Sequence, residues 1–475
     1  MKPLKVKMIL PSLTEADSPF WRPIKYSLFP PIGLATLAAY FDPEDEIQLQ
    51  DQHVEELELD DHPDLVLIQV YITNAYRSYQ LADYYRNRGS YVVLGGLHVT
   101  SVPHEAALHA DTLILGPAEE AFRRFVKDFR YGNAGKMYTS LIRTLDDLPP
   151  LRRDLIKRNN YLVPNSLVVS RGCPHHCNFC YKDSFFWGGK SFYTRKIDDA
   201  LAEIDRLPGR HLYFLDDHLL GSPGFASGLF DGMKGMNRVF QSAATVESIL
   251  KGNLIEKAAE AGLRSVFVGF ETLSSKNLEQ SNKVQNLQKD YTAAIKRLHS
   301  LGIMINGSFV FGLDDDEEDV FMKTVDWGVE NSITTATYHV LTPYPGTRLF
   351  KDMQKAGRIQ TYNWDLYDTR NVVYKPGKLT PEQLKSGYDL AYESFYSWSN
   401  IIKSGFGHNS LIHNLKHFFY TSGWKKFEPF WNFIIKSKHL NDMLPLLEKI
   451  LCETGKSNQA NTQMQNSTNI QILNV

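Results

Sequence analysis

The chain has 475 residues, 43% of them hydrophobic and 22% charged, with a formal net charge of −2. Such a composition fits a globular protein with room for two or three domains, and it gives no global electrostatic case for nucleic-acid binding. Four cysteines in this length cannot make a disulfide scaffold; in the reducing cytoplasm, the expected compartment, clustered cysteines bind metal or do redox chemistry.

The opening "MKPLKVKMILPSL" has too short an apolar run for a signal peptide, and no later stretch is long and apolar enough for a membrane span. "VKMILP" predicts a strand and "PPIGLATLAAYF" a helix with Pro in its first turn. "EIQLQD", "DLVLIQV", "YVVLGG" and "TLILG" predict further strands, with "SYQLADYYRNRG" a helix among them. Near-continuous apolar strands alternating with helices imply a parallel sheet covered on both faces, which binds ligands at its strand C-terminal ends. Residues 1–140 form this first unit, and 141–165, with "DDLPPLRRDLI", a linker. A second series occupies 166–375. Its strands are "SLVVS", "HLYFLDD", "VFQSAATV", "SVFVGFET", "INGSFVFG" and "TATYHVLTP". Six strand–helix repeats predict a full or partial (β/α) barrel with its chemistry at the strand C-terminal ends. Residues 376–453 read as mainly helical, and the amide-rich 454–475 as a disordered tail.

"SRGCPHHCNFCYKD" holds Cys173, Cys177 and Cys180 within eight positions, directly after the first strand of the second series. Thiolates are soft ligands suited to zinc or to iron–sulfur clusters. A structural zinc site needs a fourth ligand, which His175 or His176 could provide. A 4Fe–4S cluster on three thiolates instead leaves one iron open to a substrate or cofactor.

"CPHHCNFC", with the aromatic Phe179 before its last cysteine, resembles the C-x3-C-x2-C motif of the radical S-adenosylmethionine (SAM) superfamily. "YFLDDHLLG", "VFVGFET", "GSFVFGLDDDEEDVF" and "LTPYPGTRLF" resemble later strands of the subgroup with an N-terminal cobalamin domain. "PPIGLATLAAY", "PDLVLIQV", "VVLGGLHVT" and "LILGPAEEAF" resemble that cobalamin domain, although the usual G-E-G-E reads Gly116-Pro117-Ala118-Glu119 here. "DQHVEE" (51–56) resembles the cobalt-ligating D-x-H-x-x-G motif but lacks its glycine and follows the second strand; it is read as a loop, with cobalamin bound without that histidine. "GRIQTYNWDLYDTRNVVYKPGKLTPEQLKSGYDLAYESFYS" resembles members acting on hopanoids and similar lipids. The resemblance implies an N-terminal Rossmann-like cobalamin domain, a partial (β/α)6 TIM-like barrel and a helical C-terminal region. It implies that the three cysteines hold a 4Fe–4S cluster whose open iron chelates SAM. The reduced cluster would cleave SAM to a 5′-deoxyadenosyl radical, and methylcobalamin would deliver a methyl group to an unactivated carbon. The substrate would be a hydrophobic small molecule, a lipid or tetrapyrrole, and the electron donor a flavodoxin or ferredoxin. Oxidative ring formation is the nearest alternative, and a non-catalytic zinc- or cobalamin-binding regulator the alternative of another class.

Several single residues follow. Gly95 and Gly96 end a strand where backbone can approach a flat ligand, and His98 just beyond is a candidate cobalamin contact. Asp216 and Asp217, at a strand end in the barrel mouth, can meet the ammonium group of SAM, or one of them can cap a helix. By the resemblance, Glu271 contacts the SAM ribose. "DDDEED" (314–319) is read as a helix start rather than a metal site, and Cys452 as an ordinary thiol. The lysine- and aromatic-rich 413–439 is a candidate for peripheral membrane contact, with a packed helical domain as the plainer reading.

Overall fold

A computed structural model describes residues 2–14, 28–408, 411–426 and 440–451. The predicted Cys452 and the tail 454–475 lie outside the described residues, as does much of 413–439.

The first sheet has six parallel strands: β1 (Lys5–Leu10), β2 (Glu46–Asp51), β3 (Leu65–Gln69), β4 (Tyr91–Gly95), β5 (Thr112–Leu115) and β6 (Met137–Thr139), in the order β2-β1-β3-β4-β5-β6. Its central strands are buried along their length, which is why they read as unbroken apolar runs. The edge strand β6 was not predicted: three residues at the end of a Gly-rich connector carry no periodicity. The expected loop at 51–56 is a turn. His53 donates from Nδ1 to Asp51 (2.7 Å) and accepts at Nε2 from the Leu13 amide (3.1 Å), so both ring nitrogens are used inside the fold.

The second sheet is also parallel, in the order β14-β13-β12-β11-β10-β7: β7 (Ser166–Leu167), β10 (His211–Phe214), β11 (Val239–Ala244), β12 (Leu263–Glu271), β13 (Met304–Phe311) and β14 (Thr335–Val340). Among the described residues β7 and β14 do not pair, so the (β/α)6 barrel stays open. A short antiparallel hairpin, β8 (Ser170–Gly172) with β9 (Phe192–Thr194), flanks the cysteine loop; it too was not predicted.

An open barrel leaves a strand edge that must be satisfied. The tyrosines of the C-terminal region satisfy it. The Tyr396 hydroxyl accepts from the Ala336 amide (3.1 Å) and donates to the Ala336 carbonyl (2.8 Å). Tyr392 does the same at Tyr338 (3.1 and 3.3 Å), and the Val340 amide reaches the Thr369 carbonyl (2.7 Å). Both tyrosines belong to the helix Pro381–Phe395 and its C-terminal cap, whose start "TPEQ" combines a Thr380–Gln383 capping box with Pro in the first turn.

Candidate functional site

The two sheets present their strand C-terminal ends to each other. A cleft with a cavity volume of about 120 Å³ lies at the end of the first sheet. Its walls are Gly33, Gln69, Gly95, Gly96 and the segment Gly116–Glu119, closed by Arg171 and Phe185 from the barrel. Gly96 is required by the backbone: its φ is +120°, and a Cβ there would sit 2.6 Å from the Val70 carbonyl. Gly116, at φ +70°, would press a Cβ to 3.1 Å from the Phe185 carbonyl. Across the same seam Arg171 pairs with Glu119 at 2.7 Å; burial works against the guanidinium charge, and Glu119 together with Tyr193, Asp217 and Asp216 outweighs it. The Gly-Pro-Ala-Glu departure therefore still lines the cleft.

His98 does not line it. The imidazole is buried on the other side, against Tyr79, with Nε2 3.5 Å from Glu105, which also accepts from Trp364 Nε1 (3.0 Å). His98 belongs to an anchor that ties the first domain to the barrel through Glu105 and Trp364.

Past Arg171 the chain enters the cysteine loop. Gly172 has φ +79° and lies so close to the Ser191 carbonyl that any Cβ would collide, which fixes the loop against β9. Cys173 and Cys177 are buried and Cys180 half-buried, all three free. Burial pushes the Cys177 thiol up and Cys180 up to about 11, so these thiols lose their protons on binding metal rather than before it. Two lysines offset the resulting charge. Burial opposes the charge of Lys283, but Glu271 and Cys177 outweigh it and raise its pKa to about 12. Lys182 is held charged in the same way by Asp217 and the three cysteines. Gln285 Nε2 points at Cys177 Sγ (3.5 Å), while Gln285 Oε1 and His218 Nδ1 are buried with no partner among the described residues.

These residues fit an anionic cluster better than a lone zinc. Among the described residues no three Cys, His, Asp or Glu side chains converge on a single-ion site. His176 bonds to Asp183 at Nδ1 (2.8 Å), and His175 stacks on His218 with ring centroids 5.6 Å apart. Phe179 is half-buried against the barrel core.

The two aspartates separate. Asp216 is buried and accepts from the Val169 amide (3.1 Å), the Ser170 amide and the Ser170 hydroxyl (2.5 Å), so it clamps the start of the cysteine loop. Burial pushes its carboxyl up to about 7. These bonds give Asp216 a positioning role for the loop. Asp217 stays accessible, accepting from the Gly172 amide (3.0 Å) and the Tyr181 hydroxyl (2.8 Å). Glu271 carries φ +65°, a strained conformation for a non-glycine residue, and pairs with Lys283 at 2.5 Å. "DDDEED" precedes the helix Val320–Glu330, with Asp316 accepting the Gly312 and Leu313 amides and Asp315 paired to Lys276 and Lys378.

Sequence reasoning missed Arg171, Lys182 and Lys283. The first two flank the motif directly and could have been found there; Lys283 lies in a loop without periodicity, twelve residues past its partner. Below the chamber the barrel lumen continues. Ser265 and Phe267, earlier on β12 than Glu271, line a second cavity of about 730 Å³. Phe267 lies four residues, or about 13 Å of extended strand, below Glu271.

The sequence model of the Radical SAM superfamily matches residues 167–328, and that of the B12 binding domain residues 26–126. Bacteriochlorophyllide d C-12(1)-methyltransferase of Chlorobaculum tepidum is 30% identical over 353 residues, 72% of this chain and 76% of that protein. Bacteriochlorophyllide d C-8(2)-methyltransferase of the same organism is 26% identical over 396 residues, 78% of this chain and 86% of that protein. The fold is shared with the radical SAM methyltransferase TsrM of Kitasatospora setae, solved with cobalamin and a [4Fe-4S] cluster bound: TM-score 0.63 and 13% identity, over 92% of this chain and 99% of that one.

Proposed function

This chain belongs to the cobalamin-binding radical SAM methyltransferase family, and we propose that it methylates an unactivated carbon on a tetrapyrrole. The observation that carries the substrate class is the match to two bacteriochlorophyllide methyltransferases, which runs over 72% and 78% of the chain. When bound, the 4Fe–4S cluster and SAM supply hydrogen abstraction at carbon, and cobalamin supplies the methyl group.

The chain's own residues bind, orient and shield. Cys173, Cys177 and Cys180 would hold the cluster, with Lys182 and Lys283 balancing its charge. Asp216 fixes the loop, and Gly172 lets it pass β9. Asp217 and Glu271 offer carboxylates to SAM, and Phe179 packs beside it. Gly95, Gly96 and Gly116 keep the cleft open for the cobalamin, and Arg171 with Glu119 closes the seam between the two cofactors. Radical SAM enzymes need a reductant; a flavodoxin or ferredoxin is the donor we assign.

The test is anaerobic turnover of the reconstituted protein with SAM, reductant and candidate bacteriochlorophyllides. A product heavier by one CH2 is expected. Loss of hydrogens without added carbon would replace methylation by oxidative ring formation.

A further inference from the structure

The C-terminal helices carry two apolar stripes that nothing in the chamber explains. Helix Trp398–Gly405 and the residue after it expose Trp398, Ile402 and Phe406; helix Leu411–Lys425 exposes Leu411, Leu415 and Phe419. Both stripes recur every fourth residue, so each forms one face of its helix. The helices pack together through Ser404 Oγ and His417 Nε2 (3.1 Å) and through Trp398 and Phe418 (6.3 Å between ring centroids). Phe406 is 57% exposed, Phe419 63% and Leu411 68%.

The charge around the stripes has one sign. No Asp or Glu occurs between Glu393 and Glu428, whereas Lys403, Lys425 and Lys426 do; Lys416 turns its Nζ inward, where it lines the lower cavity. Lys426 lies over the Trp398 ring at 5.5 Å, and Lys425 over Tyr392 at 5.5 Å. Rings at the level of the headgroups with lysines beside them form the pattern of an interfacial helix. The surface is also continuous with the barrel lumen: Phe419 and Leu446 are exposed on the outside and line the lower cavity on the inside.

We propose that this helix pair docks the protein on an anionic lipid surface and sets the mouth of the lower cavity against the lipid. The cavity then draws apolar molecules from the bilayer rather than from water. The proposal stands apart from the methyl-transfer reading, because docking needs neither cluster nor SAM.

The experiment is flotation of the full-length holoenzyme with vesicles of phosphatidylcholine, with and without phosphatidylglycerol. Flotation with the anionic vesicles is expected, with release at high salt. Phe406→Ser with Phe419→Ser should lower the partition by about tenfold or more, since burying one such side chain is worth at least that factor. Lys403→Gln with Lys426→Gln should weaken binding to anionic vesicles only. Leu108→Ser, at an exposed position on the first domain, should float like wild type. Protein that stays behind with both vesicle types, or variants that float unchanged, would overturn the proposal. A dimer lost in the phenylalanine variant, with no flotation, would give the stripes to a second copy instead.

Discussion

The two ligand-facing surfaces of this molecule lie across one seam and are built from opposite materials. The cleft on the first sheet is mostly glycine and apolar side chain, with a half-buried ion pair, Arg171–Glu119, at its rim. The chamber on the second sheet is crowded with ionisable groups: three thiols, Lys182, Lys283, Asp217 and Glu271. Backbone proximity suits a large, broad cofactor held by shape, whereas matched charge suits a small anionic cluster and a zwitterionic ligand. Substitutions should therefore fail differently on the two sides, through shape in the cleft and through charge and ligation in the chamber.

The largest effect belongs to the thiols. The Cys173→Ala, Cys177→Ala, Cys180→Ala triple variant should retain neither iron nor sulfide after anaerobic reconstitution and form no 5′-deoxyadenosine, while still binding cobalamin. Loss of both cofactors together would break the comparison, because it would mean the cleft depends on the cluster loop. Gly96→Val reverses the test. A β-branched side chain at φ +120°, driven into the Val70 carbonyl, should cost about 3 kcal/mol or more. Cobalamin retention on gel filtration should fall sharply while iron content holds.

How much of this was legible depends on what a residue's signal travels through. The cysteine spacing and the parallel strands are local patterns, and the eleven predicted strands lie where the sheets have theirs. β6, β8 and β9 escaped because three residues without an apolar run show no period. Asp216 and Asp217 look equivalent in sequence, yet neighbours along an extended chain point to opposite sides, so only one can face the chamber. His98 is turned away because the chain leaves the strand at Gly95 and starts a helix at Leu97, which buries the imidazole against Tyr79. Lys283 was invisible because its partners, Glu271 and Cys177, meet it only in the folded barrel.

Asp216 sharpens the chamber side through pH. Its folded carboxyl titrates near 7, above the ordinary value of 3.8, because burial disfavours the charge. The folded state therefore binds the proton more tightly than the unfolded chain. The stability from this group is full below about pH 4 and is lost as pH rises towards 7, a swing of at most about 4 kcal/mol. Asp216→Asn removes that swing. The difference in unfolding free energy between wild type and variant should drift by up to that amount between pH 4 and 8, with wild type relatively weaker at the alkaline end. A difference independent of pH would show Asp216 already ionised and held by its three donors.

The smallest effect tests neither surface but the edge that holds the barrel open beside them. Tyr396→Phe removes the hydroxyl that serves both the amide and the carbonyl of Ala336, deep under the C-terminal helix. Two backbone groups lose their partner where water cannot replace it, so the cost should be about 2 kcal/mol, read from the denaturant midpoint. Tyr392→Phe releases the same two groups of Tyr338, but this hydroxyl is only partly buried and its donated bond is longer, 3.3 Å against 2.8 Å. Its cost should be nearer 1 kcal/mol. The order of the two follows from burial and geometry alone, since the chemistry deleted is identical. Amide exchange at Ala336 and Tyr338 should speed up in the matching variant only. If both amides exchanged faster in either one, the edge would be guarded by the helix as a whole, and the hydroxyls would be passengers on it.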